Sequence, residues 1–534
     1  MQMNKNTLKW NFIFQYGYVI TNIINSIILL PFYLHKIDAS TLGVWLATGN
    51  ILAWMTLIDP GVGDVLQQKV AELRGRNENG EIGKTIGSGL IAAGGILLLA
   101  VIAGFVFYFL IGVIINKDVT KYPNLQIALF LSIIATGMSL VSFSMSGINQ
   151  GLHNASPVAI SSITANILFL IVNILLLLLG FGVISIAFAN LCRAVYINIY
   201  NFSALKILLN KEKIGIVFKL DHFKKFIRIF SFTSLASIIG GFSASMDTIV
   251  LARYIAPFMI TIFEINKRPV QLTQSMVGRH SVALMPIISH AAGRGDKPGI
   301  MDLIHKQFKY YSYAAIFIGL IFCYEYRDLI SAWTGEGKFA GNTILYLLVA
   351  NFFFGLIGYF MQNMGYALGD IKMNSLVSIC KGLGIGGLYY VFGKNYGIVG
   401  ILSVMLFGNL VVEFSYFTHR LFKLGYLDSD FIKSTLLNWL IIVPSVAAIC
   451  WLACYGINLA VAANLYLLKI TINTSIIFIV FTTIVLFTDK IFRMDIMENG
   501  KKLIGTNRFR KNYPTNSEVI SMQIPMMDNN LIKQ

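Results

Sequence analysis

The residues best placed to do chemistry lie between Pro257 and Ser289, where an apolar run that reads as one helix carries Glu264, Lys267, Arg268, Gln271, Gln274, Ser275, Gly278 and Arg279. These positions recur at intervals of three and four, so they share one face. At 1.5 Å rise per residue the helix is about 50 Å long, enough to cross a bilayer and protrude. With Pro257 near one surface, Lys267 and Arg268 come to lie about 15 Å in, near the midplane. There an unpaired charge costs roughly 2.5 kcal/mol or more. Glu264 and Arg268, at i and i+4, could neutralise each other, but that leaves Lys267 and Arg279 unexplained. The alternative is that the stripe lines a wet cavity and attracts an anion.

Other polar residues sit in apolar segments and extend the candidate site. Arg193 and Lys381 would add to a cationic lining or snorkel to a surface. Gln15, Asn22, Asn25 and Ser26 share the inner face of the first helix, suited to hydroxyl groups or to helix-to-helix hydrogen bonds. Asp247 is an isolated intramembrane acid, a candidate proton or sodium site or a partner for Lys267. Asp59, a further candidate for a coupling or charge-pair role, opens the helix interruption Asp59-Pro60-Gly61-Val62-Gly63-Asp64.

The elements that must position these groups are membrane helices. The chain has 534 residues, 56% hydrophobic and 13% charged, with a mean hydropathy of +0.70, values that point to an integral membrane protein. Apolar segments beginning near Trp10, Leu42, Ile86, Leu125, Val158, Val183, Ile229, Pro257, Tyr310, Asn342, Ser375, Tyr396, Thr435 and Ala463 make about fourteen spans. Most Lys and Arg fall in the loops on the side of the N-terminus, so both ends are expected in the cytoplasm. That bias accounts for the net charge of +17 without nucleic acid, and it favours contact with anionic membrane lipid. The expected organisation is a six-helix lobe over residues 1–205, a basic amphipathic linker over 206–228, and a second six-helix lobe over 229–420. Two additional spans follow over 421–489, then a basic cytoplasmic tail over 490–534.

The five cysteines lie in apolar runs, and the histidines show no metal spacing, so neither disulfides nor a metal site are expected. Soluble segments hold no Ser/His/Asp set, phosphate-cradling Gly loop or paired carboxylates, and the outer loops are short. No enzyme is expected.

Local features recur at a nearly constant offset: Pro31-Phe-Tyr33 with Ala252-Arg-Tyr254, Gly75-Arg76 with Gly293-Arg294, and Asn149-Gln-Gly151 with Asn363-Met-Gly365. Odd spans pair with odd, which favours two parallel halves with a site at their interface. Leu42-Gly43-x-Trp45, Asp59-x-Gly61-x-Gly63, Val70-Ala71-Glu72 and the Arg74-Gly75-Arg76 turn resemble the N-terminal signature of the polysaccharide transporter family. Ala283-Leu284-Met285-Pro286-Ile287-x-Ser289 and Gly293-Arg294-Gly295-Asp296 resemble its equivalent second-half stretch. Members of that family flip lipid-linked oligosaccharides and belong to the superfamily that also holds multidrug and toxin extrusion carriers and lipid II flippases.

The resemblance implies an all-α polytopic fold of two pseudo-symmetric lobes that rock in alternating access. Its implied cargo is an undecaprenyl-pyrophosphate-linked oligosaccharide crossing the bacterial inner membrane, with no cofactor and a proton or sodium ion as the coupling candidate. The implied partners are the glycan lipid, membrane lipids, and polymerase or export components of the same pathway. Two spans beyond twelve are a feature shared with the lipid II flippases. They would either build a groove for the lipid tail, as that likeness implies, or anchor the chain. The Arg-rich first-span signature of those flippases is absent, which argues against peptidoglycan precursor. Cation-coupled drug export is the competing transporter expectation; a membrane glycosyltransferase or polymerase is opposed by the short outer loops.

Overall fold

The outer surfaces of the helices are as apolar as their cores: on one helix Leu98, Phe109 and Val113 are 62%, 76% and 69% exposed. Apolar surface on that scale is stable only against lipid, and in lipid every backbone group must be satisfied within its own helix. The computed structural model describes residues 5–53, 62–75, 78–122, 124–218, 246–293, 295–460, 465–489 and 492–494, and no strand occurs among them. The first lobe comprises α1 (Lys5–Lys36), α2 (Ala39–Ala53), α3 (Val62–Gly75), α4 (Asn79–Ile115), α5 (Leu125–Gly151), α6 (Ala155–Leu178) and α7 (Val183–Glu212). The second comprises α8 (residues 246–254), α9 (Pro257–Gly293), α10 (Lys297–Thr334), α11 (Asn342–Ala367), α12 (Ile371–Gly408), a π-helical segment Asn409–Tyr416 and α13 (Phe417–Lys423). Then come α14 (Ser429–Ala460) and α15 (Tyr466–Thr488). Eight helices among the described residues are, by length and composition alone, able to cross a membrane.

The expected eleventh and twelfth spans are joined without a loop. Gly397 at φ 57°, ψ −133° turns the chain inside α12, a conformation that glycine adopts without a Cβ penalty. The expected seventh span lies mostly in residues 219–245, outside the described residues, as does Asp59. α7 runs on to Glu212, whose carboxylate accepts two hydrogen bonds from the Arg74 guanidinium at 2.7 and 3.0 Å.

Each lobe has its own core. Leu42, Val70, Ile86, Leu129, Ile148 and Leu205 centre the first. Phe263, Phe308, Tyr326, Phe352, Phe360 and Ile401 centre the second, which continues through Val446, Ile477 and Phe481 into α14 and α15. The lobes meet chiefly where α2 packs on α9. Gly43 makes that approach possible: a Cβ there would stand 1.8 Å from the Pro257 carbonyl oxygen. Beside it the Thr261 hydroxyl donates to the Ala39 carbonyl at 2.7 Å, and Trp333 Nε1 at the end of α10 donates to the Ile27 carbonyl of α1 at 2.7 Å.

Two chambers along α9

α9 packs against α2 of the first lobe and α11 of the second, so its polar stripe lies at the lobe boundary. At about 100° per residue, Glu264 and Arg268 occupy an arc of about 40°, and Gln271, Lys267 and Gln274 the adjoining arc of about 80°. The fold turns these two halves of the stripe into two different chambers.

The first is an inter-lobe chamber of about 250 Å³, walled by Asn22, Asn25, Ser26 and Tyr33 of α1, Phe169 of α6, Arg193 of α7, and Glu264 and Arg268 of α9. The exposed Arg268 side chain donates from Nη2 to Ser26 Oγ at 2.6 Å, across the lobe boundary. The Arg193 guanidinium lies over the Phe169 ring, 5.2 Å from its centroid, a cation–π arrangement that holds the charge at the chamber wall. Asn25 is buried and donates to the Asn166 carbonyl at 2.9 Å, so part of its role is to tie α1 to α6. The chamber thus has two guanidinium groups and a single carboxylate. That carboxylate is already engaged: Glu264 Oε1 accepts from the Thr248 hydroxyl and stands 3.7 Å from the Lys267 ammonium.

The second chamber, about 630 Å³, lies inside the second lobe between α8, α9, α11, α12 and the π segment. Lys267, 7% exposed, donates to Asp247 Oδ2, and the Asp247 carboxylate, 1% exposed, also accepts the Thr248 N–H at 2.7 Å. The i,i+4 pair expected between Glu264 and Arg268 is therefore not formed. Glu264 turns to Lys267 and Thr248 because α8 brings a hydroxyl and a second carboxylate to that side of the helix, while Arg268 faces α1. Of the two readings of Asp247, a partner for Lys267 is the one its geometry shows. Lys381, on the far wall, donates to Glu413 Oε1 at 2.6 Å and to Asn409 Oδ1 at 3.3 Å, and the Asn409 amide donates to Asn351 Oδ1 at 2.9 Å. Gln271 and Gln274 line this chamber. It holds two lysines and two carboxylates, each cation matched to an acid.

Arg279 is exposed on α9 and lines neither chamber. The side chain of Gln15 lies outside the described residues. Asn266, which precedes Lys267 and Arg268, donates to the Lys338 carbonyl at 2.8 Å and accepts the Ala340 N–H at 3.2 Å. The short loop after α10 thus folds onto α9 beside these residues. In the sequence Glu413 lies close to an expected membrane edge, a position that assigns it no role. Its one local signal is the π-helical turn that carries it, a feature frequent at functional sites. Among the described residues no group of three His, Cys, Asp or Glu side chains is placed to hold a metal ion.

No family model matches the sequence, and no curated protein matches it at a significant level. Solved structures do match. The lipid II flippase MurJ in its inward closed conformation aligns with a TM-score of 0.66 at 16% identity, over 90% of this chain and 99% of that one. An inward-facing multidrug resistance MATE family transporter of the MOP superfamily aligns with a TM-score of 0.59 at 15% identity, over 77% and 96%. A MOP superfamily transporter from Pyrococcus furiosus aligns with a TM-score of 0.52 at 15% identity, over 80% and 100%. The chain is a multi-pass membrane protein with the two-lobed helical fold shared by these transporters of the MOP superfamily.

Proposed function

We propose that the protein is a flippase of the bacterial inner membrane that moves an undecaprenyl-pyrophosphate-linked oligosaccharide outward by alternating access. In this reading both termini are cytoplasmic, and the cargo belongs to the polysaccharide transporter class that the sequence motifs resemble. The observation that carries the reading is the inter-lobe chamber, where Arg193 and Arg268 face one carboxylate that Lys267 and Thr248 already engage. A chamber with that balance attracts an anion, and a guanidinium fork matches a phosphate edge in a way an ammonium does not. Arg268 sits on one lobe and its Ser26 partner on the other. A pyrophosphate that replaces the Ser26 hydroxyl on Arg268 would weaken one tie between the lobes as it binds, which links cargo entry to rocking.

The test is reconstitution of the full chain in proteoliposomes with a lipid-linked oligosaccharide extracted from a polysaccharide-producing bacterium, read as lectin accessibility of the glycan on the opposite face. Flipping by the wild type and its loss in Arg268→Gln supports the proposal. Equal flipping by both refutes the anion role. Cation-coupled drug export is the second reading, supported by the fold shared with MATE carriers. It requires the same liposomes to accumulate ethidium against a proton or sodium gradient.

A further inference from the structure

The second-lobe chamber is the larger of the two, and its charges give no net attraction for a phosphate or an organic cation. Asp247 holds Lys267 and Glu413 holds Lys381. Separating either pair leaves an uncompensated buried charge. What the chamber has in excess is hydrogen-bonding capacity. Among the described residues the Ser375 hydroxyl, in a residue 1% exposed, has no partner, and neither does the second carboxylate oxygen of Glu413. Gln271 and Gln274 line the same space and make no hydrogen bond among the described residues. Unmet buried polar groups each cost about 1–3 kcal/mol; the Ser375 hydroxyl and the Glu413 oxygen are such groups, and with the exposed Gln271 and half-buried Gln274 beside them they favour an occupant that both donates and accepts. The remaining walls include the rings of Tyr359 and Tyr366, flat apolar faces with a polar rim.

An uncharged sugar residue has this chemistry. Each hydroxyl both donates and accepts, and the C–H face of a pyranose ring packs on an aromatic ring. The chamber volume, about 630 Å³, lies within the range of small-molecule sites, roughly 300–1,000 Å³. The route is short: Gln271 stands about 60° from Arg268 around α9 and less than one turn along it, so a ligand with its phosphate at Arg268 can reach toward Gln271 without crossing to the opposite side of the helix. We infer that the second-lobe chamber is a carbohydrate subsite that takes an uncharged sugar of the lipid-linked glycan, beside the anion chamber rather than within it. This inference rests on the proposed function for the identity of the whole cargo, but not for the chemistry of the chamber.

The test uses the full chain in lipid nanodiscs and two probes. Methyl glycosides of glucose, galactose and N-acetylglucosamine are followed by saturation-transfer NMR, and bare undecaprenyl diphosphate by native mass spectrometry. The wild type should transfer saturation to the ring protons of at least one glycoside. Ser375→Ala/Tyr366→Leu should reduce that transfer by about fivefold, the worth of one or two hydrogen bonds, while diphosphate binding stays unchanged and reports an intact fold. If the double variant loses both ligands, Ser375→Ala alone, which removes one hydroxyl and little packing, must lower transfer by about threefold. No transfer from the wild type, or equal transfer from the variants, overturns the subsite. Glycoside binding without diphosphate binding would instead overturn the flippase reading and leave the subsite standing.

Discussion

Lys267 and Arg268 are consecutive in the chain but serve different chambers. The Lys267 ammonium is held by Asp247 inside the second lobe, while the Arg268 guanidinium reaches the Ser26 hydroxyl of the first lobe at 2.6 Å. One is a buried ion pair and the other an exposed group whose partner among the described residues is a neutral hydroxyl, so their substitutions should separate cleanly.

Lys267→Gln leaves the Asp247 carboxylate buried without its cation, a change that costs about 3–5 kcal/mol. The amount of folded protein recovered in detergent should fall, and Asp247→Asn added to Lys267→Gln should restore much of it. Arg268→Gln should leave the folded amount unchanged and abolish export, with Arg268→Lys between, because it keeps the charge and loses the fork. Fluorescence size-exclusion profiles and glycan export measured on the same cells check both. Normal folding of Lys267→Gln would show that Asp247 finds another partner.

Gly43 makes a second prediction through packing alone. Its absent Cβ is the space occupied by the Pro257 carbonyl, whereas Gly49 on the same helix has nothing within 4 Å of the equivalent position. Gly43→Ala should therefore push α2 off α9 and lower the thermal midpoint of the purified protein, while Gly49→Ala should leave it unchanged or raise it, since Ala is favoured over Gly in a helix interior by about 1 kcal/mol. Similar midpoints for the two variants would mean that the α2–α9 contact contributes little to the closed arrangement of the lobes.

What the sequence made legible follows from periodicity. The polar stripe of α9, the helical class of the fold and the boundary between the eleventh and twelfth spans near Tyr396 all come from local spacing. The division of the stripe into two chambers does not, because it depends on which neighbour each side of α9 meets, and α1 and α11 are distant in sequence. The partner of Lys381 was hidden for the same reason: Glu413 lies on the next span in an apolar run, and only the turn at Gly397 brings the two helices together. Of the two readings of Glu264 and Arg268, the i,i+4 pair is not formed because that rule describes an isolated helix surface, and here α8 supplies Thr248 to Glu264 and Asp247 to Lys267.

Topology is checked independently of mechanism. Reporter tags after Lys84, after Lys219 and at Gln534 should report cytoplasm, and tags near Lys117 and Lys338 the outside, as the positive-inside rule requires. A cytoplasmic report from Lys338 would reverse α10 and α11 and remove the basis for pairing the two lobes.

The last prediction concerns α14 and α15, which either supply a path for a lipid tail or anchor the chain. They are tied to the second lobe by a buried polar cluster: Lys309 and Tyr313 of α10 both donate to Asp489 Oδ2 at the end of α15, at 2.8 and 2.7 Å, and the Asn438 amide of α14 joins at 3.3 Å. Farther along the same helices the Asn473 amide donates to Glu325 at 2.9 Å. Deleting residues 431–534 removes Asp489 and leaves Lys309, 9% exposed in the intact chain, without its carboxylate. The truncated protein should therefore be less stable for an electrostatic reason, and Lys309→Met should restore its yield and thermal midpoint. Export then decides between the two roles. If α14 and α15 only anchor the chain, truncation combined with Lys309→Met should recover export together with stability. If they carry the lipid tail, stability returns and export does not, because an apolar replacement at Lys309 repairs the lobe without rebuilding the path. Asp489→Asn in the full chain, at a cost of about 3 kcal/mol, provides the matching control: it weakens the same anchor with both helices still present, so a loss of stability without a comparable loss of export per folded molecule is expected.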